Sequence, residues 1–126
     1  MAALVFDSGA LIALERGDRK VAALLVAAVA GGAEAITSCV CVAEVWRDPA
    51  RQARLTRALC GFRERSLDPK QARACGALLA KAAASDVADA ALCQLARDGD
   101  TVLTSDPSDV ARLLQASGTR AGVYSV

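Results

Sequence analysis

The chain contains no histidine. That absence removes Ser-His-Asp and Cys-His nucleophilic catalysis, imidazole general bases and every histidine-ligated metal site. Aromatic residues make up only 3% of the 126 positions, as Phe6, Trp46, Phe62 and Tyr124. The core must therefore be aliphatic, and extended base stacking along a nucleic-acid strand has few platforms. The longest apolar stretch, Val21 to Ala30, is too short to span a bilayer, and no basic segment precedes the first hydrophobic run as in a signal peptide. No membrane partner is expected. The cysteines Cys39, Cys41, Cys60, Cys75 and Cys93 are odd in number and lack CxxC spacing, so they read as buried free thiols in a reduced cytoplasm. Neither sign of charge dominates: 15 Lys+Arg against 14 Asp+Glu leaves +1. A polyanion partner has to be argued from local clusters.

What is present is aliphatic and regularly punctuated. Hydrophobic residues are 54% of the chain, mostly Ala, Val and Leu, and the length fits a single domain over residues 1–126. Ala3–Phe6 reads as a short buried strand, Ser8–Glu15 as a helix ended by Gly17, and Val21–Ala30 as a second helical run stopped by Gly31-Gly32. Ala35–Ser38 is a strand leading into a helix from about Val40 to Arg47, which Asp48-Pro49 interrupts or kinks before helix resumes over Ala50–Cys60. Phe62–Ser66 is a third strand, and Asp68-Pro69 caps a helix reaching Ala83. Ser85 caps a helix over Asp86–Arg97 closed by Gly99; Thr101–Thr104 is a strand, Asp106-Pro107 starts another helix, and Ala121–Ser125 is a final strand. Strands alternating with helices predict a three-layer α/β/α sandwich around a mainly parallel sheet.

Four carboxylates, Asp7, Glu44, Asp89 and Asp106, stand at or just after points where an apolar strand-like run gives way to helix. In an open parallel sheet such points gather at one edge, where ligands bind. Asp7 and Asp106 also have an ordinary reading as helix caps, Asp106 with Pro107 at N1 and Asp109 at N3, and Asp86 complements a helix dipole. Glu44 and Asp89 resist that reading. Glu44 lies in Cys39-Val40-Cys41-Val42-Ala43-Glu44-Val45-Trp46, so apolar that its helix should be buried, and Asp89 sits a full turn into its helix, beyond good capping range. A cluster of carboxylates needs a hard divalent cation, Mg²⁺ or Mn²⁺, to be tolerable, and such an ion polarises a phosphoryl oxygen and lowers the pKa of bound water. The hydroxyls of Ser8, Thr104 and Ser105 flank the acids and either bond metal waters or serve as turn residues.

In that order, the chain resembles a PIN domain, and most closely the VapC-type toxin ribonucleases of type II toxin–antitoxin pairs. The resemblance runs from end to end, on Phe6-Asp7-Ser8-Gly9-Ala10-Leu11-Ile12-Ala13-Leu14, Val42-Ala43-Glu44-Val45-Trp46, Asp89-Ala90-Ala91-Leu92 with Ala96, and Thr104-Ser105-Asp106. It implies a metal-dependent endoribonuclease with Asp7, Glu44, Asp89 and Asp106 as metal-binding acids, Asp86 and Asp109 as auxiliaries, RNA as substrate, a small antitoxin as partner, and a homodimer. One departure is Gly9, since the family often carries Ser, Thr or Asn two residues after the first Asp; Ser8 or a water is the expected substitute.

RNA has to be held as a polyanion. Arg47, Arg51, Arg54 and Arg57 recur at helical spacing after the Glu44 block, and if the helix survives Pro49 they form one basic stripe; the alternative is a solvated amphipathic face. Arg16, Arg19 and Lys20 offer a second patch. Other classes stay open: a housekeeping PIN-domain RNA-processing nuclease, or a receiver-like Mg²⁺-binding signalling module. Receiver domains use a Lys late in the chain, whereas the lysines here are Lys20, Lys70 and Lys81.

Overall fold

The computed structural model describes residues 2–126. Five short strands, β1 (Leu4–Phe6), β2 (Ala35–Ser38), β3 (Phe62–Arg65), β4 (Thr101–Thr104) and β5 (Gly122–Ser125), pair in the order β3-β2-β1-β4-β5. Every pairing is parallel, Val5 standing opposite Ile36 on one side and Val102 on the other. Parallel strands require crossovers, and these are helical: α1 (Ser8–Glu15) and α2 (Arg19–Ala30), α3 (Cys39–Val45) and α4 (Ala53–Leu59), α5 (Pro69–Ala82) and α6 (Val87–Leu95), and α7 (Pro107–Ser117). Because such crossovers are right-handed, α1 to α4 lie on one face and α5 to α7 on the other. The packing of α1 with α2, α3 and α4, and of α5, α6 and α7 with one another, agrees. The result is the expected three-layer α/β/α sandwich.

The core is aliphatic, as the composition requires. Val5, Phe6, Leu11, Leu55, Leu92, Val102, Leu103 and Val110 are fully buried, with the Phe6 and Phe62 rings meeting edge to face at 4.9 Å. Cys41, Cys75 and Cys93 are buried free thiols, whereas Cys39 and Cys60 are exposed, so burial of all five does not hold. Both exceptions sit at a helix end: Cys39 opens α3 and Cys60 follows α4.

Local chemistry explains most boundaries. Asp68 and Gln71 form a reciprocal capping box ahead of Pro69, and Gly118 closes α7 at φ 73°. Two boundaries differ from the sequence expectation. Asp86, not Ser85, caps α6, its carboxylate accepting from the Asp89 N–H at 2.9 Å. Helix α3 stops at Val45 rather than Arg47, and α4 begins only at Ala53. The gap is held by Gln52, 6% exposed, whose amide donates to Val45 O at 2.8 Å and Glu15 Oε1 at 2.9 Å while its oxygen accepts from the N–H groups of Arg47 and Asp48.

The strand order places a topological switch between β1 and β4. Crossovers leaving those neighbours go to opposite faces, opening a crevice beyond their carboxyl ends, where Asp7 and Asp106 follow the strands. Among the described residues no helix is long and apolar enough to cross a membrane.

Candidate active site

Asp7 lies at the switch point and is 3% exposed. Its carboxylate caps α1, Oδ1 accepting from Ala10 N–H at 2.8 Å, and bridges to the other side of the crevice, Oδ2 accepting from Ser105 N–H at 3.1 Å. Capping and site membership are thus the same geometry. Burial raises its pKa from 3.8, against the lowering effect of the Thr104 side chain and the Ala10 and Ser105 N–H groups, while the charge of Asp106 adds to the rise.

Asp89 is the third residue of α6 and 6% exposed. It stands in the first turn, because the helix starts one residue later than Ser85 would set it. Its pKa is raised from 3.8 to about 7, first by burial and then by Asp86, Asp106, Asp7 and Asp109. Five aspartates from three parts of the chain therefore share one field. The N-termini of α1, α6 and α7 converge on it, and their partial positive charge offsets part of the repulsion.

Asp106 differs from a plain cap. It occupies the N-cap position of α7 but its side chain makes no capping hydrogen bond, and its N–H is satisfied by Thr104 Oγ1 at 2.8 Å. The carboxylate is left uncommitted. Asp109 ion-pairs with Arg112 at 3.7 Å; Asp86, Asp89, Asp109 and Arg112 line a cavity of about 190 Å³. Arg112 went unnoticed in the sequence, although its i,i+3 spacing from Asp109 was the available signal.

Glu44 is exposed, so the expectation of a buried carboxylate fails. Helix α3 turns only Cys41 and Val45 fully inward, and Glu44 lies on its outer side, accepting a hydrogen bond from the Ser8 hydroxyl. That bond ties it to the first turn of α1. Beneath the pair, Cys41 is pushed up to about 12 by burial, with Asp7 and Glu44 adding to it, and Cys93 is likewise pushed up to about 12 by burial first and then Asp89. Both thiols stay protonated and form an inert floor rather than a nucleophile.

The expected substitutes at Gly9 also change. Ser8 is engaged with Glu44, and the space above Gly9 is filled by Ser105. From there a groove of about 600 Å³ follows α1, lined by Gly9, Ile12, Ala13, Arg16, Asp18 and Ser105.

The single basic stripe does not form, because the chain between α3 and α4 is not helical. Arg47 bonds the Ala43 and Trp46 carbonyls at 3.1 and 2.7 Å, Arg51 pairs with Asp48 at 3.8 Å, and Arg54 lies against Gly17 beyond the far end of α1. Arg57 is in the last turn of α4. Arg16, from the second patch, is the arginine on the groove that begins at Gly9 and Ser105.

Among the described residues, no group of three or more Cys, Asp or Glu side chains is drawn together closely enough to hold a metal ion as it stands. The donor chemistry nevertheless fits a hard cation: oxygen ligands only, one carboxylate uncommitted, and neighbouring acids around Asp89 whose mutual repulsion a cation would relieve. No protein-family model matches the chain, and no curated protein matches it either.

Proposed function

We propose that the protein is a metal-dependent endoribonuclease, acting as the toxin of a toxin–antitoxin pair. The observation that carries this reading is the shared field of Asp7, Asp86, Asp89, Asp106 and Asp109 at the switch point of a parallel sheet. Acids are not gathered at such a place for stability, since their repulsion and desolvation oppose folding. The resemblance in the order of the Asp7, Glu44, Asp89 and Asp106 blocks supplies the reaction class.

Mg²⁺ or Mn²⁺ bound by Asp7, Asp89 and Asp106, with Glu44 at the outer side, would polarise a phosphoryl oxygen and acidify water. The residues do the rest. Asp7 is fixed in orientation by the Ala10 and Ser105 N–H groups. Asp89 would give up the proton it otherwise keeps to about pH 7 in order to ligate the ion. Arg16 sits along the groove that opens beside Asp7 and is placed to meet a phosphate. The resemblance extends the proposal to an antitoxin and a second copy of the chain; the outer face of α2, with Val26 69% and Val29 52% exposed, is the apolar surface open to them.

The test is cleavage of a mixed RNA substrate with Mg²⁺ or Mn²⁺, with and without excess EDTA, for the native chain and Asp7→Asn. Cleavage that needs the ion and is lost in the variant supports the reading; cleavage undiminished by EDTA overturns it. Growth arrest on expression separates toxin from housekeeping enzyme.

A further inference from the structure

Gly9 occupies the second position of α1, where helical backbone gives glycine no advantage over alanine. Its φ is not among the positive ones, so backbone conformation does not explain it. Its neighbour does. A Cβ on Gly9 would fall 2.5 Å from Ser105 Cβ, closer still to Ser105 Oγ, and 3.3 Å from Asp7 Oδ1.

Rotating the hydroxyl away relieves only part of this, because the Ser105 Cβ is fixed to the backbone. Restoring ordinary carbon contact of about 3.5–4.0 Å requires the turn between β4 and α7 to retreat by about 1–1.5 Å. Two features of that turn would move with it. The Ser105 N–H holds Asp7 Oδ2 at 3.1 Å, and the next residue is Asp106, whose N–H is anchored on Thr104 Oγ1 at 2.8 Å. Gly9 and Ser105 also line the groove along α1.

We propose that Gly9 and Ser105 form a steric key that sets the spacing of Asp7 and Asp106, making Ser105 a positioning residue of the acid site. The functional meaning rests on the nuclease reading; the fit itself does not.

The experiment is a cycle of Gly9→Ala, Ser105→Gly and the double variant, with Gly9→Ala/Ser105→Ala as control. Mn²⁺ affinity is measured by water-proton relaxation, cleavage on RNA, and thermal unfolding without metal. Gly9→Ala should weaken Mn²⁺ binding and cleavage by about tenfold or more, as expected for a displacement of this size. Adding Ser105→Gly should return both to within about threefold of Ser105→Gly alone. The control should not rescue, because its Cβ remains. Wild-type Mn²⁺ affinity in Gly9→Ala, or rescue by Ser105→Ala equal to that by Ser105→Gly, overturns the key. If the native chain binds no Mn²⁺ and cuts no RNA, the nuclease reading fails, and metal-free unfolding decides the key. There Gly9→Ala should lower Tm, Ser105→Gly should recover it, and purely additive Tm changes overturn it.

Discussion

Replacing Asp89 with Asn should make the metal-free protein more stable at pH 8 and change it little at pH 4.5. Asp89 is 6% exposed and its pKa is raised from 3.8 to about 7 in the folded state. A carboxyl with a raised folded pKa binds its proton more tightly folded than unfolded, so it costs nothing below about pH 4 and opposes folding increasingly as pH climbs toward 7. Over the interval from 3.8 to about 7, at about 1.36 kcal/mol per pH unit, the cost reaches on the order of 4 kcal/mol. Water reaching the open side of the cavity and relaxation of the other acids reduce it to on the order of 2 kcal/mol. Asn keeps the shape and carries no charge. For a chain of this size about 2 kcal/mol moves Tm by roughly 6–8 °C, so the variant should melt that much higher at pH 8 and only about 2 °C higher at pH 4.5. Thermal unfolding followed by circular dichroism in EDTA, at several pH values, measures the difference. Mn²⁺ binding to the native chain at pH 7 should in turn release about half a proton, since Asp89 titrates at about 7, read by calorimetry in two buffers of different ionisation enthalpy. A Tm difference independent of pH, or none at pH 8, would refute the argument that these acids share a field.

Asp89→Asn should abolish RNA cleavage, whereas Asp86→Asn should retain most of it, and Asp86→Ala should cost about 1 kcal/mol in urea unfolding for the lost cap; the opposite ranking in cleavage would reverse their roles. Gln52→Ala should destabilise by about 2–3 kcal/mol, since it orphans buried backbone groups on both sides of the α3–α4 turn, and a change below about 0.5 kcal/mol would show that water replaces the amide. Arg16→Ala should weaken RNA binding across unrelated sequences and reduce the salt slope by about one, while Arg51→Ala, away from the groove and paired with Asp48, should leave the slope unchanged; equal slopes for both would remove the groove from the substrate path.

The layer architecture was legible because its signals are local. Apolar runs such as Leu4–Phe6 and Thr101–Thr104 end at polar residues, Gly17, Gly31 and Gly99 stop or follow helices, and Asp68-Pro69 opens one. The places of Asp7 and Asp106 were legible for the same reason, each standing where a strand gives way to a helix, whereas Asp89 lies in α6, which follows helix α5 and no strand. What was not legible depends on distant partners. Helix α3 ends at Val45 because Gln52 takes its carbonyl and also reaches Glu15, 37 residues away in sequence. Glu44 looked buried because its helix is apolar on all sides, and composition without periodicity does not say which side faces the sheet. The choice between Ser85 and Asp86 as cap was one between adjacent good candidates. Gly9 read as a departure from a pattern, and its reason lies 96 positions later, in the side chain of Ser105.

The central place of β1 has a consequence for the life of the chain before folding is complete. This strand precedes the rest of the sheet in the chain, yet one of its two neighbours is β4, and Asp7 acquires its Ser105 partner across 98 residues. Contacts of such separation form late and slowly. The first 100 residues of this sequence hold Asp7, Glu44 and Asp89 but neither β4 nor Ser105, and so no crevice. A chain cut short before β4 therefore lacks the crevice however many of the acids it carries, and the proposed activity would require the segment that supplies β4 and Ser105.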